Sequence, residues 1–115
     1  MAITSLDDFE EINVLDFEFQ TEGGLHTDRG QRFGGRPLPL CGVGLELRSD
    51  GLWRLWRDEL LQLTRAPFNT GRRALTIAFF ASAEAGCFVA LQWPFPHHWL
   101  CLHAEYRLKT ISLSS

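Results

Sequence analysis

ALTIAFFA (residues 74–81) runs directly into SAEAGCFVALQ (residues 82–92), with WPFP (residues 93–96) behind it. The first segment is a short apolar run rich in strand formers, as a strand buried on both faces requires. Ser82 is a helix N-cap residue type, and the following stretch reads as a helix over 82–92. Pro94 and Pro96 end it. A buried strand feeding a helix is the unit of an α/β fold, so this stretch sets the class.

Downstream, HWLCLH (residues 98–103) reads as a fifth strand and Ala104–Lys109 as the start of another helix. Upstream, INVLDFEF (residues 12–19) is a first strand, Leu38–Arg48 a second and Leu52–Arg57 a third. Ser49-Asp50-Gly51 is a turn that joins the second and third as a hairpin. Asp58 is expected to cap a short helix, DELLQLT (residues 58–64). Residues 66–73 form a turn-rich connection, and residues 20–37, with five glycines and a final proline, read as a long loop. The order is three early strands followed by alternating helix and strand, which predicts a mixed sheet of about five strands with flanking helices.

The 115 residues fit a single domain, with an acidic, flexible leader expected over residues 1–11. Eleven Lys and Arg against fourteen Asp and Glu give a net charge of −3, which excludes a generally basic nucleic-acid binder. Three cysteines without a CxxC spacing argue against a disulfide framework or zinc ribbon. The leader has no apolar core of a signal peptide, and no apolar run is long enough to span a bilayer, so no membrane role and a reducing, cytoplasmic setting are expected.

Asp16 and Glu18 make a D-x-E on the first strand, and a spacing of two puts both carboxylates on one face. Paired carboxylates with no cation nearby in sequence suit Mg²⁺ or Mn²⁺, although such pairs also arise on solvent-exposed strands. Glu84 falls in the first turn of the helix after strand four. The helix dipole favours a carboxylate there, with or without a ligand role.

The string AFFASAEAGCFVALQWPFPHHWLCLHAEYR (residues 78–107), together with LDFEFQ, PLCGVGLELRS and LWRDEL in the same order upstream, resembles the 3′–5′ exonuclease domain of phage and bacterial polymerases of the DNA polymerase I class. The resemblance covers residues 12–108 and implies a ribonuclease-H-like fold of the DEDD superfamily. It implies that Asp16, Glu18 and Glu84 hold a catalytic Mg²⁺ or Mn²⁺, and that the substrate is the 3′ end of single-stranded DNA. Two departures follow from the same comparison. Cys101 stands where relatives carry an Asp, and a thiol is a poor ligand for a hard cation. The family's last motif, a water-orienting Tyr or His with a final Asp, has no counterpart before Ser115. The expectation is therefore a C-terminally truncated, weakly active or inactive domain. Its uncovered sheet would form a homodimer or recruit a partner chain that completes it. The alternative is a non-catalytic nucleic-acid-binding or protein-interaction module.

Other residues invite weaker readings. His97, His98 and His103 lack the spacing of a zinc site. Arg29, Arg32 and Arg36 in the glycine-rich loop could meet phosphates, or merely be solvated. Trp53, Trp56, Phe79, Phe80, Phe88, Trp93 and Trp99 could include a base-stacking platform, and most are expected in the core. Cys87 has no histidine placed to activate it.

Overall fold

A computed structural model describes residues 5–21, 37–79 and 81–114. The glycine-rich segment with Arg29, Arg32 and Arg36, and Phe80, lie outside the described residues.

The elements are β1 (Glu11–Thr21), β2 (Pro37–Glu46), β3 (Leu52–Trp56), α1 (Arg57–Leu61), β4 (Ala74–Ala78), α2 (Ala81–Leu91), β5 (Trp99–Cys101) and α3 (Leu102–Ser114). They form one five-stranded mixed sheet in the order β3-β2-β1-β4-β5. β1, β2 and β3 pair antiparallel, whereas β4 lies parallel to β1 and β5 parallel to β4. The chain is thus α/β, as its order of elements implies. The hairpin turns at Asp50, whose φ of 61° is the left-handed conformation that Asp tolerates. No helix among the described residues is long and apolar enough to cross a membrane.

Alternation along β1 assigns its side chains to two faces. Leu15 and Phe17 point to the first, where they meet Leu60 of α1 and Cys87, Phe88 and Leu91 of α2, with Trp93 alongside. Phe88 is at the centre, its ring in edge contact with Phe17, Phe68, Trp93 and Trp99. Trp53 lies flat over Gly44, where a Cβ would collide with its indole, and stacks on Phe68 at 5.9 Å between ring centroids. Glycine at 44 therefore serves a close approach of ring to backbone. The second face is thinner: Ile12, Leu75 and Ile77 are closed by Phe9, with Val14 and Leu100 at the margin.

Several local expectations are corrected. Residues 5–11 are not a free leader: Phe9 is buried, and the Arg48 guanidinium donates to the carbonyls of Phe9 and Leu6 at 3.1 and 2.8 Å. Helix α2 starts at Ala81, so Ser82 lies inside it rather than capping it. Asp58 lies inside α1, and the capping position falls to Trp56, whose N–H donates to the Glu59 carboxylate at 3.0 Å. The fifth strand is only Trp99–Cys101, and His103 belongs to α3. Trp56 and Phe79 are exposed, contrary to a core role.

Candidate functional site

The parallel strands β1 and β4 pair only as far as Val14↔Ile77. β1 runs on to Thr21, so the backbone of its second half has no strand partner on the β4 side. An unpaired, buried N–H there is costly. Glu84 fills the gap: its Oε2 accepts from the Phe17 N–H at 3.1 Å. Phe17 is the residue between Asp16 and Glu18 in the chain, so the Glu84 carboxylate reaches the backbone of β1 at the position that separates the other two acids.

Their environments differ. Asp16 and Glu18 are exposed, on the face opposite the buried Phe17. Glu84 is 5 % exposed. Burial, first, and then the negative charge of Asp16, and to a smaller extent that of Glu18, push its carboxyl up to about 7, against the pull of the Phe17 N–H. Neither Asp16 nor Glu18 has a hydrogen bond or ion pair with another described residue. The acids form an electronegative group of hard oxygen donors, the chemistry that Mg²⁺ or Mn²⁺ takes. As the side chains stand, no three His, Cys, Asp or Glu among the described residues are gathered as a metal-binding group. That holds for these acids and for the three histidines alike. Glu84 is fixed by its burial, and the exposed Asp16 and Glu18 are the ones with freedom to turn.

Cys101, at the end of β5, has a structural role. Its sulfur accepts from the Ala81 N–H at 3.4 Å and donates to the Phe79 carbonyl at 3.7 Å, tying β5 to the start of the helix that carries Glu84. The Ala81 N–H, with those of Ala104 and His103, holds its thiol below the usual range. Cys87 is the opposite case. Burial, and then Glu84, push its thiol up to about 12, which leaves it inert as a nucleophile.

The site has one feature that sequence spacing concealed. On β2 and β3 the register continues the rows that begin at the acids: Asp16↔Val43↔Arg54 and Glu18↔Cys41↔Trp56. Residues directly opposite in antiparallel strands share a face. Arg54 and Trp56 therefore stand on the face of Asp16 and Glu18. Only strand pairing could reveal it, because these residues are some forty positions apart in the chain.

Comparisons with protein-family models, with curated proteins and with solved structures find no match to this chain.

Proposed function

We propose that the chain is a divalent-metal-dependent 3′–5′ exonuclease-like domain of ribonuclease-H-like fold, acting on the 3′ ends of single-stranded DNA. The observation that carries this reading is the bond of the buried Glu84 carboxylate to the N–H of Phe17, the residue flanked in sequence by Asp16 and Glu18. The hairpin on one side of β1 and the parallel strands on the other also agree with the order of elements that suggested such a fold. The carboxyl ends of parallel strands are where open α/β sheets place their ligands.

Asp16, Glu18 and Glu84 would hold the cation. When bound, Mg²⁺ or Mn²⁺ supplies charge stabilisation to the oxygens of a phosphodiester under hydrolysis. The chain's own part is positioning. Glu84, anchored by the Phe17 N–H, sets the fixed carboxylate, and Asp16 and Glu18 approach from β1. A partner chain that contributes a residue to orient the attacking water would raise turnover.

A second reading, a non-catalytic nucleic-acid or protein-binding module, is favoured by the exposed Leu52 and Trp56 at 70 and 63 % on the face of the acids.

The test is incubation of the purified chain with 5′-labelled single-stranded DNA and Mn²⁺. Stepwise shortening from the 3′ end is expected, reduced about 100-fold or more by Asp16→Ala or Glu84→Ala. Absence of Mn²⁺-dependent shortening, or shortening undiminished in both variants, rules the catalytic reading out.

A further inference from the structure

The open face of the sheet carries a cation and a large aromatic ring in the same two rows as the acids. The order across the face is Asp16, Val43, Arg54 in one row and Glu18, Cys41, Trp56 in the next. Two strand spacings separate β1 from β3, about 10 Å. Among the described residues, only the half-buried Val43 and Cys41 lie between them in the register. Arg54 is exposed and has no hydrogen bond or ion pair with another described residue. Its neighbours Arg48 and Arg57, by contrast, are committed to the carbonyls of Phe9, Leu6 and Pro39. Trp56 is 63 % exposed although its residue type favours burial. The alternate residues of β3, Trp53 and Leu55, pack on the helix-covered core, so the exposure of Arg54 and Trp56 follows from the pleat.

We infer that Arg54 and Trp56 form a strand-binding subsite for single-stranded DNA. Arg54 pairs with a backbone phosphate, and Trp56 stacks a base next to the terminal nucleotide at Asp16 and Glu18. The pairing of an exposed cation with an exposed ring on β3 fits this occupant. A polyanion with flat apolar bases matches a lone guanidinium beside an indole, where a purely apolar partner would leave the guanidinium unpaired. A single strand whose end lies at the acids passes over both side chains. The inference rests on the proposed function for the identity of the ligand, and its test is separable from catalysis.

The experiment measures binding of a fluorescein-labelled oligothymidylate to the full chain by anisotropy in EDTA, across a salt series. Arg54→Ala should weaken binding about 10-fold and lower the salt slope by about one, as the loss of one phosphate contact does. Trp56→Ala should weaken it about 10-fold with the salt slope unchanged, as the loss of one stacked base does. Arg54→Lys should restore the slope. Both side chains are exposed, and equal thermal midpoints check that the three variants fold. Binding lost in this pattern supports the subsite even where the wild type fails to cleave, in which case only the catalytic reading falls. Binding unchanged in both alanine variants, or no binding by the wild type, overturns the subsite, and cleavage by the wild type would then leave the catalytic reading standing.

Discussion

The two ends of β1 treat negative charge in opposite ways. At its amino end the carboxylates of Glu46, Glu11 and Glu10 each have a partner. Glu46 accepts from the N–H groups of Ile12, Arg48 and Ser49, Glu11 accepts from the Asn69 amide, and Glu10 pairs with Arg73. The Ile12 N–H, with those of Arg48 and Ser49 and the Ser49 side chain, brings the Glu46 carboxyl down to about 2. At the carboxyl end Glu84 has one N–H and two like charges for neighbours, and its carboxyl rises to about 7. Glu46 uses its charge to close a turn. Glu84 is buried beside two like charges, and its one N–H donor does not offset them.

The largest effect should come from adding a divalent cation, if the proposed function holds. Mn²⁺ at 100 times its dissociation constant should stabilise the chain by about 2.7 kcal/mol at pH 8, read as a rise in thermal midpoint. The rise should shrink below pH 7, as protons compete for Glu84, and should vanish in Glu84→Gln. An equal rise in that variant would break the contrast between the two ends.

Next is Glu84→Gln without metal. A carboxyl raised in the folded state contributes stability that is fully present below its unfolded value near 4.5 and is lost as pH rises through about 7. The variant should therefore match the wild type at pH 4 and exceed it by about 2 kcal/mol at pH 8, measured by urea denaturation.

Glu46→Gln should act with the opposite sign and more weakly, because water screens the group. A depressed carboxyl contributes stability above its unfolded value and loses it as pH falls through about 2. The variant should melt lower than the wild type at pH 7, and the difference should close in acid. The smallest effect belongs to Arg73→Ala, which removes a 2.7 Å ion pair whose side chains are 76 and 62 % exposed. Its cost should stay within about 0.5 kcal/mol by the same denaturation.

The sequence made the strands legible because apolar residues and turn signals marked them plainly, and the α/β order followed. It was less informative where a single contact overrides composition. The acidic run around Phe9 looked like a leader, yet one buried ring anchors it. Ser82 and Asp58 have capping chemistry, but the helices begin one residue earlier than each. Asp16 and Glu18 stood out through their spacing, and Glu84 through its place after strand four. What makes Glu84 distinctive, its bond to Phe17, depends on β4 stopping short of β1, which no local pattern encodes. Arg54 was missed and Trp56 was expected in the core, because their relation to the acids lies in the register of three strands.

The convergence of the three acids is tested most directly by the side-chain carboxyl resonance of Glu84, followed by NMR through a pH titration of the metal-free chain. The account predicts a midpoint near 7 that falls when Asp16 is replaced by Asn. A midpoint in the ordinary glutamate range, unmoved by Asp16→Asn, would contradict it.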